Sequence, residues 1–215
     1  MLADANSPAP ESSPRQRLTS AERRAAIVKA AVELFSKHGF HGTTTRELAA
    51  TVGVTEPVLY QHFATKRDLH SAIVDQMIER VPFQDIETLT ALAQGTDDRR
   101  FFREVGRQVL LWHSDDTKYT RLLLFSALEG HELAELWQER ATRQFLTFIE
   151  AYIERRVREG AFTVPSAALA ARAFIGMVGH FGMTTAVFTC PFPDTPHDVV
   201  LDSYVSMFLS GIRKP

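Results

Sequence analysis

Only one cysteine, Cys190, occurs in the 215 residues, which excludes an internal disulfide and a thiolate metal cluster. A reducing, cytoplasmic setting is expected. Long apolar runs are also missing. The greasiest stretch, Val164 to Phe188, is broken by Arg172 and His180, so no membrane span is expected. Residues 1–14 lack an apolar centre and carry Asp4 and Glu11, which argues against a signal peptide. Strand-like alternation and internal repeats are absent. Neither a nucleophile elbow nor a phosphate-cradling glycine loop is found, and Ser114-Asp115-Asp116 beside His113 is the nearest approach to a catalytic cluster. The eight histidines show no paired i, i+4 ligands. No catalytic residue, metal or cofactor is therefore expected. Net charge is small, −2 overall, which by itself speaks against a nucleic-acid binder. The balance is local, however. Residues 1–14 hold −2 and residues 15–70 hold nine Lys/Arg against five Asp/Glu, a net of +4, which leaves −4 for residues 71–215.

The informative stretch runs from Thr43 to Leu69, TTTRELAATVGVTEPVLYQHFATKRDL. Thr44 and Glu47 have capping-box spacing, so a helix starts there with Leu48, Ala49 and Val52 on its apolar side. Gly53 supplies the left-handed residue for a sharp turn. Thr55 is placed to cap the next helix, and Pro57 falls in its first turn, where a missing amide hydrogen costs little. Leu59 and Phe63, helped by Val54, form its inner face. Glu56, Pro57, Val58, Tyr60, Gln61 and His62 are left outward. Two such helices make either an ordinary helical hairpin or a helix-turn-helix that enters a DNA major groove.

Around this stretch the pattern is helical throughout. Residues 1–14 are rich in Pro and Ser and predict disorder. Arg15, Arg17, Arg23 and Arg24 form a basic arm, either along phosphates or simply solvated. Thr19 with Glu22 caps a first helix with Ile27, Ala30, Ala31, Leu34 and Phe35 inward, ended by Gly39. A helix from Lys66 to Arg80 carries Leu69, Ile73, Met77 and Ile78, and Pro82 ends it. After a polar break at Gln94–Asp98 come helices over 99–113 and 117–129. One long helix then spans 132–159, and two more lie on either side of the loop Cys190–Pro196.

Several spaced elements sharpen the choice. AA-x-x-LF (Ala30 to Phe35), Gly39-Phe40, TTTRELA, Gly53-Val54, LY-x-HF (Leu59 to Phe63) and K-x-x-L (Lys66 to Leu69) together resemble the DNA-binding domain of the tetracycline-repressor (TetR) family over residues 20–70. The resemblance implies an all-α protein: an arm (1–18), a helix-turn-helix domain (19–65) and a helical ligand-sensing and dimerisation domain (66–215). It implies that Arg46, Glu56 and Pro57 approach base edges and that Thr45, Tyr60, His62 and Lys66 contact phosphates, with Thr55 and Gln61 completing the face. Val58 stands where many relatives have a hydroxyl, so one polar contact is missing.

Residues 71–215 hold twelve of the fifteen phenylalanines and both tryptophans. Most such aromatics are core. Phe102, Trp112, Phe125, Trp137, Phe148, Phe174, Met177 and Phe181 are also bulky enough to line a ligand cavity, with His113, Glu129 and His180 as its polar handles. Gly176, Gly179 and Gly182 each cost their helix about 1 kcal/mol against alanine, which close packing would offset. The resemblance implies a dimer built by the last two helices; Gly176, Gly179, Tyr204, Val205, Phe208 and Leu209 fit that interface, with packing inside one subunit as the alternative. The function expected is sequence-specific repression of transcription on operator DNA, relieved by a small apolar or aromatic effector. A small-molecule-binding protein with weak or lost DNA contact and a helical enzyme remain as alternatives.

Overall fold

The structure, a computed structural model, describes residues 18–80, 86–188 and 195–213. The basic residues Arg15 and Arg17, Pro82 and Cys190 lie outside them. Eleven α-helices occur among the described residues: α1 (Ser20–His38), α2 (Thr45–Val52), α3 (Glu56–His62), α4 (Lys66–Arg80), α5 (Ile86–Gln94), α6 (Asp98–Asp115), α7 (Thr117–Leu128), α8 (Glu132–Trp137), α9 (Arg143–Arg158), α10 (Ala167–Val187) and α11 (His197–Ile212). No strand forms among these residues, and Phe162 and Arg213 make an isolated bridge.

Local chemistry accounts for most helix ends. At α1 the capping box is complete: Thr19 accepts from the Glu22 amide, and the Glu22 carboxylate accepts from the Thr19 amide at 2.7 Å. The same Thr-x-x-Glu spacing at α2 gives half of one. Thr44 accepts from the Glu47 amide at 3.1 Å, but Glu47 does not reach back. Gly53 is left-handed (φ 72°), and its amide donates to the Ala49 and Ala50 carbonyls. Thr55 occupies the cap position of α3 without a side-chain cap bond, contrary to the expectation from sequence.

Two departures lie further along the chain. The stretch before the polar break, to which sequence alone assigns no element, contains α5, whose Leu89 is fully buried. The long helix expected over 132–159 is interrupted by a π-helical turn, Gln138–Thr142, between α8 and α9. A π turn adds a residue without breaking the helical path, which periodicity in the sequence does not reveal.

Among the described residues the buried side chains form two cores. In the first, Ile27, Ala31 and Phe35 of α1, Leu48 and Ala49 of α2, and Leu59 and Phe63 from α3 and its end meet Ile73, Val74 and Met77 of α4. The same cluster continues into Tyr119 and Leu122 of α7 and Leu133, Leu136 and Trp137 of α8. The second collects Leu89, Phe101, Phe102, Val105, Ile149, Tyr152, Phe174, Val178, Val205 and Phe208 from α5, α6, α9, α10 and α11. Packing therefore does not divide at residue 65. The helix-turn-helix and α7–α8 share one apolar interior.

A buried ionic knot closes the second core. Asp98, at the start of α6, accepts from the Tyr152 hydroxyl at 2.7 Å and from Arg156 Nε at 2.8 Å. Burial, and then the bond to Asp98, raises the Tyr152 pKa above its ordinary value. Removing one partner of such a pair strands the other in low dielectric. Asp98→Ala should therefore lose about 3–5 kcal/mol in urea unfolding, against about 1 kcal/mol for Tyr152→Phe.

Candidate nucleic-acid interface

The reading head is built from short helices held by their inner faces. Leu48, Ala49, Leu59 and Phe63 are buried, which turns Arg46, Thr55, Pro57, Tyr60, Gln61 and Lys66 to solvent. Thr45, Glu56, Val58 and His62 are half-buried, the first two at the joint of α2 with α3. There Thr45 Oγ1 donates to Glu56 Oε2 at 2.9 Å, so Glu56 ties the two helices together. That bond occupies one oxygen of the carboxylate expected to face a base. His62 turns its carbonyl to Arg24, whose guanidinium donates at 2.6 Å and lies 4.0 Å from the Phe63 ring centroid. Arg24, expected in a basic arm, is thus engaged in holding the end of α3.

Behind this surface lies a cavity of about 200 Å³, lined among others by Thr43, Thr44, Thr45, Lys66, His41, His70 and His131. It lies between the α1–α2 turn and the first half of α4, beside the polar seam that α4 makes with the α7–α8 corner. His70 is buried and its Nδ1 lies 2.9 Å from Glu132 Oε1, while Arg67 donates to Glu132 Oε2 at 2.7 Å. Burial lowers the His70 pKa, with Glu132 acting in the opposite direction. The His131 pKa is also lowered, to about 4, by burial and then by the neighbouring His70. Its ring stacks on Phe40 at 3.9 Å and meets His70 edge-on at 4.3 Å. Among the described residues no group of three or more His, Cys, Asp or Glu is placed to hold a metal ion.

The residues expected around one ligand cavity are not brought together. Phe102, Phe174 and Phe181 are buried in the second core, with Phe148 and Met177 packed against it. Phe102 and Phe174 meet edge-on at 4.9 Å. Trp112, Phe125 and Trp137 belong to the first core, where the two indoles stack at 4.6 Å. His113 bonds Thr120 Oγ1 through Nδ1 at 3.1 Å and lies against Gly182, where an added Cβ would come within 2.7 Å of its ring. His180 is exposed. Glu129 turns its carboxylate to the α1–α2 turn, where it accepts from the backbone. Periodicity had identified the buried faces but could not say which helix each face meets.

The expected dimer residues divide as well. Val205, Phe208 and Leu209 are buried within the protomer, so their side chains are already occupied, and Tyr204 packs beside them. Of Gly176, Gly179 and Gly182, only Gly182 is forced by close approach. Gly176 faces open space, and a Cβ at Gly179 would make an ordinary contact with Val109. The free apolar face of these helices carries instead Leu169 (66% exposed) and Met207 (57%). Both line an open groove of about 430 Å³ with Ala173, Met177 and Gly211. No helix among the described residues is long and apolar enough to cross a membrane.

Comparison with known proteins covers both halves of the chain. A family model described as bacterial regulatory proteins, tetR family, matches residues 27–73. A second, described as the AefR-like transcriptional repressor C-terminal domain, matches residues 102–211. The nucleoid occlusion factor SlmA of Marinobacter nauticus is 32% identical over 138 residues, covering 64% of this chain and 68% of that protein. The fold is that of AibR solved with isovaleryl coenzyme A and operator DNA (TM-score 0.61, 21% identity, 86% of this chain and 97% of that one). It is also that of the Bacillus subtilis regulator FadR solved with stearoyl-CoA (TM-score 0.67, 18% identity, 88% and 99%).

The buried imidazoles make stability depend on pH. Burial holds the His113 pKa at about 4, below the ordinary 6.5. Between those values the unfolded chain binds a proton that the folded protein refuses, so stability falls as pH drops from 6.5 towards 4. His113→Asn should flatten this slope in urea midpoints taken across that window. His131 contributes with the same sign, so part of the slope should remain.

Proposed function

The chain belongs to the TetR family of bacterial regulatory proteins, and we propose that it represses transcription by binding operator DNA and lets go when a small effector occupies its helical domain. The observation that carries this reading is the head itself. Its inner face is locked by Leu59 and Phe63, and Arg46, Tyr60, Gln61 and Lys66 stand free to meet a groove and its phosphates. The proposed place of action is the cytoplasm. The proposed effector has an apolar or aromatic body, in keeping with the phenylalanine-rich second core. Coenzyme A thioesters of fatty acids are the first to try, because two neighbours of this fold were solved with such thioesters. α4 links the two ends: Lys66 is exposed beside the head, while Ile73 and Met77 are fully buried in the shared core.

Selection of duplexes from a random library tests the reading, and two variants test its contacts. Lys66→Ala should weaken all sequences alike and lower the salt slope by about one. Arg46→Ala should instead lose about 1–3 kcal/mol at one base pair and relax preference there. Identical behaviour of both variants across operator substitutions would reject this division of labour.

The proposed dimer forms on the free face of α10 and α11, around Leu169, Gly176 and Met207, and not through Val205, Phe208 and Leu209. Met207→Glu should give folded monomers in sedimentation, since a charge is buried only on association. Phe208→Glu should lower the thermal midpoint, because Phe208 is 7% exposed in the protomer alone.

A further inference from the structure

Glu129 stands at the C-terminal end of α7, far in sequence from the reading head, and its carboxylate is fastened to the turn between α1 and α2. One oxygen, Oε2, accepts from the Phe40 amide at 2.9 Å, from the His41 amide at 2.9 Å, and lies 2.8 Å from His41 Nδ1. Burial alone would raise this carboxyl's pKa, yet bonds from the His41 amide and ring and from the Phe40 amide hold it below its ordinary value. The other oxygen lies against Gly39, where any Cβ would overlap it. Gly39 adopts φ 73° and ψ −179°, a conformation essentially reserved for glycine. The turn is therefore shaped to receive this carboxylate.

From the turn an unbroken series of bonds runs to the recognition helix. Thr43 Oγ1 donates to the Gly39 carbonyl at 3.0 Å, and Thr44 caps α2. Thr45 then holds Glu56, the first residue of α3, at 2.9 Å. Alongside, Arg121 of α7 donates to the Ser36 carbonyl at 3.0 Å, and Phe40 is covered by the His131 ring. Each link fixes a backbone or a helix start, so displacing Glu129 displaces the N-terminus of α2 and, through Thr45, that of α3.

We infer that Glu129 is a positioning residue for DNA binding: from the helical domain it sets the pose of the α1–α2 turn and hence of Thr45, Arg46 and Glu56. This gives the α7–α8 corner a route to the head that does not pass through α4. The inference rests on the DNA-binding reading above. Geometry, and not charge, is its essence, because backbone amides need an acceptor at one place.

Four variants and the wild type separate these possibilities, using the duplex that the wild type selects from a random library. Glu129→Leu removes the acceptor and should weaken that duplex at least about tenfold, with the Phe40 and His41 amides losing protection from hydrogen exchange. Glu129→Gln keeps an acceptor oxygen in place and should retain affinity within about threefold. Glu129→Asp keeps the charge but falls one methylene short, and should behave like the leucine variant. Gly39→Ala should match it too. Should the leucine variant fail to fold, the order of Gln above Asp decides by itself. Wild-type affinity in Glu129→Asp, or equal losses in Gln and Asp, would overturn the inference. A wild type that selects no duplex would instead refute the DNA-binding reading. Exchange at Phe40 and His41 in Glu129→Asp would still report on the latch: lost protection supports it, and unchanged protection overturns it.

Discussion

The helices that would read DNA are too short to stand alone. α2 has eight residues and α3 seven, well under the length at which an isolated helix persists in water. Their stability comes from burying Leu48, Ala49, Leu59 and Phe63 against α1 and α4, and that interior extends without a break into α7 and α8. This sharing of one apolar core is the constraint on which the rest depends. A head that owned its core could swivel freely. A head that shares one must follow the helices that complete it.

Polar bonds along the same seam convert shared burial into a fixed orientation. Apolar contact is non-directional, so the inner face of α1 against α7 would by itself tolerate sliding. Arg121 on the Ser36 carbonyl, Glu132 on His70 and Arg67, and Arg140 on Asp75 each demand one register. Two lines of attachment result, one from α7 to α1 and one from α8 and the π turn to α4. A change in the helical domain has to pass along these lines to reach the DNA face, and a few kcal/mol of differential binding would suffice to tip it.

The second core follows a different logic. α6 runs through it, and small residues admit large ones. Leu201 fills the space above Gly106, and His113 presses on Gly182. Large side chains such as Phe102, Phe174 and Phe208 then meet ring to ring. What remains outside is a mixed face of Leu169, Gly176 and Met207, apolar and unfilled on a single protomer.

Much of the molecule was legible in the sequence, and the divide between what was and was not is physical. Helix starts and stops at Thr19, Gly39, Thr44 and Gly53 depend on bonds spanning a few residues, so their residue types announce them. The inward faces of α1, α3, α4 and α6 follow from helical periodicity in the same way. The all-α class and the reading head were therefore determined by sequence alone. Which partner each face meets was not. Glu129 and His41 are 88 residues apart, and nothing local marks a glutamate as the acceptor for a distant turn. Val205 and Phe208 have the apolar spacing of an interface and of a core alike, and only the packing of α11 on α6 and α10 put them inside. The π turn and the separation of Trp112 from Phe174 belong to the same class. Each is settled by competition between contacts distant in sequence, which the tertiary structure alone resolves because burial and bond geometry are properties of the assembled chain.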